Sequence, residues 1–176
     1  CRKAKIQPSC VVLVATIRAI KMHGGLEKDD LKKENLEALK KGLPNLERHV
    51  QNIKQFGLQI IVAINHFVTD TDKEIQAVKE YCSKLGVKAS LCKHWADGGK
   101  GASKLAETVI ENIESKKSTL KFLYNDNESP EEKIKKVAVE IYRASDVSFS
   151  PQAKKKLNEI SELGYNNFPV CMAKTQ

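Results

Sequence analysis

Apolar residues in this chain follow two rhythms. Apolar runs rich in β-branched residues, over residues 10–17 and 58–64, predict strands of a parallel sheet, because a strand covered on both faces shows no regular polar alternation. Lys88–Cys92 is a shorter strand candidate. Between the first two, Leu36, Leu39, Leu43, Leu46, Val50 and Ile53 recur at three-and-four spacing and predict a helix over about residues 32–55. Pro44 falls inside it and is expected to kink the helix or split it in two, since it removes one backbone donor. After the second run, Asp70 or Thr71 caps a helix that ends near Lys84, with Gly86 as its stop. A glycine-rich loop over residues 97–101 then leads into a helix over about residues 103–114. Strand and helix alternating at this rhythm imply an α/β fold: a mostly parallel sheet with helices on both faces.

The texture changes at Asn125. Ser129-Pro130-Glu131-Glu132 reads as a helix start, with Ile134, Val137 and Ile141 on its buried face. Ser150-Pro151 starts another, carrying Ala153, Leu157, Ile160 and Leu163 up to Gly164. The expected organisation is therefore an α/β sheet portion over residues 1–124. A smaller helical or mixed subdomain over residues 125–176 follows, and its last extended run, residues 168–172, returns to a sheet.

The net charge of +8 would suit a polyanionic partner. Most lysines alternate with glutamates along helix-like stretches, as solvated faces do, and basic stripes interleaved with stacking aromatics are missing, so nucleic acid is not the expected partner. Cys1, Cys10, Cys82, Cys92 and Cys171 are scattered without a CxxC pair or histidines at metal-ligand spacing, which reads as reduced structural thiols and no metal site. No apolar stretch reaches the roughly 18 residues of a membrane span. The opening on Cys1 and the close on Lys174-Thr175-Gln176 read as those of an excerpt from a longer chain.

Ligands of open α/β sheets sit beyond the carboxyl ends of the strands, so the informative positions are residues 18–25, 65–70 and 93–99. Asn65 and Asp70 bring an amide and a carboxylate that can pair with the edge of a purine-like ring, or the amide can simply tie down a turn. Phe67 and Trp95 stand at equivalent places after successive strands. Two such aromatics either form a slot for a flat heterocycle, with stacking contributing about 0.5–1.5 kcal/mol beyond area burial, or pack beneath their loops. His23-Gly24-Gly25 reads as a flexible stretch that lets backbone approach a ligand, with His23 either bonding a phosphate or carboxylate or, the favoured reading, stabilising the turn. His66 and His94 stand beside the two aromatics. Gly98-Gly99-Lys100-Gly101 reads as a tight loop, with an anion site at the following helix start as the secondary reading. The G-x-x-x-x-G-K-[ST] spacing of a phosphate loop occurs nowhere in the chain.

Three segments, VVLVATIRAIKMHGG, VAINHFVTDT and PVCMAKTQ, in that order, resemble the motifs of formate-tetrahydrofolate ligases. The resemblance covers essentially the whole chain and implies a P-loop-NTPase-like piece whose phosphate loop lies upstream. Carried over, Phe67, Leu91 and Trp95 border a slot for the pterin-type ring of folate or the adenine of the nucleotide, with Asn65 and Val68 beside it. Val68 departs from the family, where bacterial relatives often have proline, and Arg143 replaces a glycine common in relatives, which implies a changed helix end.

The implied activity is an ATP-dependent ligation in one-carbon metabolism: formate is activated as formyl phosphate, and tetrahydrofolate takes the formyl group. Mg-ATP and tetrahydrofolate are the implied substrates, and the family allows a monovalent cation in the parent enzyme. The groups handling phosphates and formate fall outside this sequence, so no catalytic residue is assigned and the isolated chain is expected to be inactive. A cytoplasmic, homo-oligomeric parent with small-molecule substrates and no nucleic-acid or membrane partner completes the expectation. Two other classes stay open: a binding module without chemistry, and a purely structural piece.

Overall fold

The computed structural model describes residues 2–115 and 117–173. Three strands, β1 (Val11–Ala15), β2 (Ile60–Asn65) and β3 (Lys88–Cys92), form a parallel sheet in that order. Val11 pairs with Ile60, and Ile61 with Lys88. Helices α1 (Ile17–His23), α2 (Leu36–Gln55) and α3 (Asp72–Lys84) supply the connections. A short α4 (His94–Asp97) and a 3-10 turn over Gly98–Ala102 lead into α5 (Ser103–Ser115). The α/β architecture read from the sequence holds.

The two faces of the sheet follow from the period of two along each strand. Ile60, Val62 and Ile64 join Ile17, Leu39, Leu43, Val50, Ile75 and Val78 in the main core, beneath α1, α2 and α3. Ile61 and Ala63 point the other way and are also buried. On that second face α5 covers β2 and β3, with Thr108 and Asn112 buried under it. Over β1 the cover stops: Val12 is 39% and Val14 63% exposed.

Three sequence expectations are corrected here. The first strand is shorter than residues 10–17, because the Thr16 side chain accepts a hydrogen bond from the Ala19 N–H and so starts α1 at Ile17. Residues 21–23 are consequently helical, and the close backbone approach at Gly24 is to α2, not to a ligand: a Cβ there would sit 1.8 Å from the Ala38 carbonyl oxygen. Helix α2 runs unbroken through Pro44, whose ring lies on the exposed side while Leu39, Leu43, Leu46 and Val50 hold the opposite face in the core.

The chain divides into two compact units, one up to Leu120 and one from Lys121. In the second, Ser129 caps α6 (Pro130–Lys136) through a capping box with Glu132, and a π turn over Val137–Ile141 extends it. Helix α7 (Pro151–Glu162) follows. The fully buried Lys133 donates to the carbonyls of Asp126, Asn166 and Phe168, fastening the segment after α7 to the one before α6. Residues 168–172 form no strand; Val170 is held instead by the hydroxyl of Tyr124, which takes the hydrogen bond a neighbouring strand would have accepted.

Candidate functional site

The loop after β2 is fixed at both ends. His66 donates its N–H to the Cys92 carbonyl at 3.0 Å, tying the ends of β2 and β3 together. The Phe67 N–H donates to Asp70 Oδ2 at 2.9 Å, and the Asp70 N–H returns to the Phe67 carbonyl at the same distance. Thr71 then opens α3 with a capping box to Glu74. Burial raises the Asp70 carboxyl above its ordinary range, against the Phe67 N–H and the charges of His66 and Arg18, which lower it.

From the first turn of α1, just after β1, Arg18 reaches the loop that follows the neighbouring β2. Its guanidinium lies 4.2 Å from the centre of the Phe67 ring and donates to Thr69 Oγ1 at 3.0 Å. A cation stacked on one face of Phe67 leaves the other face to define a wall. Nothing in the spacing of the chain announced this pairing; the available signal was only that Arg18 opens the stretch after β1.

The loop after β3 has its own closure. Lys93 donates its N–H to the Gly101 carbonyl at 3.0 Å and accepts from Ala96 and Asp97. Gly101 is needed there, since a Cβ would lie 2.4 Å from the Lys93 carbonyl carbon. This closure holds α4 outward, with Trp95 85% exposed.

Together the two loops line one pocket of about 210 Å³, built by His66, Phe67, Val68, Lys93, Trp95 and Ala96. Pockets that enclose a whole drug-sized ligand run to roughly 300–1,000 Å³, so this one suits a single flat ring system. Of the residues singled out in the sequence, the structure brings His66, Phe67, Val68 and Trp95 together here. Asn65 is the last residue of β2, and Leu91 lies in β3 packed against the main core; neither lines this pocket. Lys93 and Ala96 lie in the stretch over residues 93–99 that the sequence marked, but neither was singled out there; they line the pocket in the loop closed by the Lys93–Gly101 hydrogen bond. Among the described residues no group of three or more His, Cys, Asp or Glu side chains gathers to hold a metal ion, and no helix is long and apolar enough to cross a membrane.

Fold and site define a class: an α/β sheet domain that presents a ring-sized, aromatic-walled pocket beyond the carboxyl ends of its strands. The family described as formate–tetrahydrofolate ligase matches residues 1–176, and the chain belongs to it. Similar proteins include the formate–tetrahydrofolate ligases of Pelagibacter ubique, 54% identical, Ruegeria pomeroyi, 53%, and Sinorhizobium medicae, 49%, each over 176 residues and all of this chain. The chain spans 31–32% of the length of these relatives.

Proposed function

We propose that the chain supplies the ring-binding part of an ATP-dependent ligase that joins formate to tetrahydrofolate. In that reaction formate attacks the terminal phosphorus of ATP, releasing ADP and forming formyl phosphate. The folate nitrogen N10 then attacks the formyl carbon, phosphate leaves, and the nitrogen gives up its proton. The part played by this chain is to orient the folate: Phe67, backed by Arg18, and Trp95 hold the flat pterin ring, so that N10 meets the formyl carbon in a fixed geometry. The observation that carries this reading is the convergence of two aromatics from successive strand ends on one ring-sized pocket, with the indole left open. Tetrahydrofolate is the ring-bearing substrate named in every relative cited above, which favours pterin over adenine as the occupant.

Trp95 is the chain's single tryptophan, so its fluorescence reports on the pocket directly. Titration with tetrahydrofolate is expected to quench it saturably, whereas ATP leaves it unchanged. In a ligase of full family length containing this sequence, Trp95→Ala and Phe67→Ala should each raise the KM for tetrahydrofolate, and the double variant should lose less than the sum because both residues contact one ring. Quenching by ATP alone would move the assignment to adenine, and melts that collapse with KM unchanged would return both aromatics to a packing role.

A further inference from the structure

Arg18 makes two contacts with the loop after β2, the stack on Phe67 at 4.2 Å and the donation to Thr69 Oγ1 at 3.0 Å, and neither is needed to hold the backbone of that loop. The backbone is already fixed by the His66 N–H on the Cys92 carbonyl, by the exchange between Phe67 and Asp70, and by the capping box at Thr71. What these bonds leave undetermined is the Phe67 side chain. It is half-buried, and among the described residues it does not pack against the main core. A side chain free of the core can choose among staggered rotamers, and the one that walls the pocket needs a partner to select it.

The guanidinium is suited to that selection. It is planar, so it lies over the ring while an N–H at its edge reaches Thr69, and the two contacts together fix where the ring stands. Arg18 Nε, by contrast, is buried and finds no acceptor. A buried donor left unpaired costs stability, so the placement is not the one that stability alone would select. The cost falls where the ring wall is formed, since Phe67 lines the aromatic pocket. Trp95, which lines it from the other loop, is 85% exposed and packs too little to hold Phe67 in place.

We propose that Arg18 is a positioning residue for the ring pocket: through the Phe67 stack and the Thr69 hydrogen bond it holds the Phe67 wall in the orientation that receives the flat ring of tetrahydrofolate. The assignment rests on the ring-binding reading given above. Arg18 does not itself line the pocket and acts through Phe67. Charge alone does not perform this role. An ammonium is a strongly hydrated point charge that cannot lie flat on the ring and reach Thr69 in one geometry, so lysine is not an adequate substitute.

The test measures KM values and thermal melts in a ligase of full family length containing this sequence. Arg18→Met is expected to raise the KM for tetrahydrofolate by about tenfold, the scale of a partly desolvated cation–aromatic contact, while the KM values for ATP and formate stay within about twofold. Its melting temperature should move by no more than about 3 °C, because the variant also removes the unpaired donor. Arg18→Lys should behave like Arg18→Met. Thr69→Val should raise the same KM by about threefold, and Thr69→Ser, which keeps the hydroxyl, should restore it. In a Phe67→Ala background Arg18→Met should add almost nothing, since the residue it positions is gone. A tetrahydrofolate KM unmoved by Arg18→Met or by Thr69→Val, full activity in Arg18→Lys, or additive losses with Phe67→Ala overturns the proposal. A collapsed melt in Arg18→Met, or a rise in all three KM values together, overturns it too, by assigning Arg18 to the fold. Phe67→Ala alone separates the two readings. If it raises the tetrahydrofolate KM while Arg18→Met does not, the ring pocket stands and the positioning role falls; if it leaves that KM unchanged, the ring-binding reading falls and takes the positioning role with it.

Discussion

Lys21 and Glu74 withdraw their charges from water against each other, at 2.9 Å and with both side chains fully buried. Lys21 also donates to the Lys33 carbonyl, and Glu74 accepts from the N–H of Asn35, so the pair fastens α1, the entry to α2 and the start of α3. Burial pushes the Glu74 carboxyl up, but the N–H of Asn35, the Lys21 ammonium and the N–H of Thr71 together outweigh it and leave the group below its ordinary value. A depressed folded value stabilises the fold fully above the ordinary carboxylate range, near 4.5, and that stability is lost as the pH falls through the depressed value. Glu74→Gln leaves the buried Lys21 without its counter-charge and is expected to cost about 3–5 kcal/mol at neutral pH. Urea unfolding at neutral and acidic pH checks both points: the variant should be weaker at neutrality and should lose less on acidification. Arg143 makes the opposite case. Its φ of +59° places a side-chain-bearing residue in the left-handed region just after the π turn. Arg143→Gly removes that strain, and a thermal melt is expected to show stabilisation of about 1 kcal/mol.

At the scale of elements, α1 and α2 share the side-chain core and also approach backbone to backbone at two glycines. A Cβ at Gly42 would sit 1.8 Å from the Ile20 carbonyl oxygen, reciprocating the contact at Gly24. In an isolated helix Gly42→Ala would add about 1 kcal/mol of helix propensity. The carbonyl it strikes belongs to rigid backbone, so the helices must separate, and a net loss of about 1–3 kcal/mol is expected, typical of overpacking. Denaturant unfolding decides the sign; a stabilised variant would show that α1 and α2 can part without cost. The hydroxyl of Tyr81 on α3 donates to Glu47 on α2, and this bond, with burial, pushes the phenol up to about 12. Cys82 on the same helix is raised to about 11 by burial alone, in keeping with a structural thiol.

For the whole molecule, the expectation is binding without turnover. The chain contains no phosphate-loop spacing, and ligation requires charge placed around the transferring phosphoryl group. Supplied with formate, Mg-ATP and tetrahydrofolate, the purified chain should therefore form no 10-formyltetrahydrofolate while still showing tetrahydrofolate-dependent quenching of Trp95. Production of 10-formyltetrahydrofolate at the rate of a full-length relative would overturn this division of labour. The uncovered Val12 and Val14 on β1 identify where the sheet face of this chain remains open.

Local pattern determined most of the elements. An apolar, β-branched run marked β2, a shorter stretch marked β3, three-and-four spacing marked α2, and the capping sequences at Thr71 and Ser129 marked the starts of α3 and α6, because each of these signals acts within a few residues of itself. The family resemblance was legible for the same reason, in contiguous motifs. Tertiary structure alone decided the rest. Lys21 fell in the stretch after the first strand and Lys133 in a lysine–glutamate helix start, with no signal of burial in either, yet both are fully buried, since their partners, Glu74 and the carbonyls of Asn166 and Phe168, arrive from far along the chain. Phe67 and Trp95 were equivalent positions on paper; the parallel register of β2 and β3, the Arg18 stack and the Lys93–Gly101 closure bring them to one pocket. Sequence periodicity specifies which face of an element is apolar, but whether a charge meets water, a partner or another charge depends on which distant segment the fold places against it.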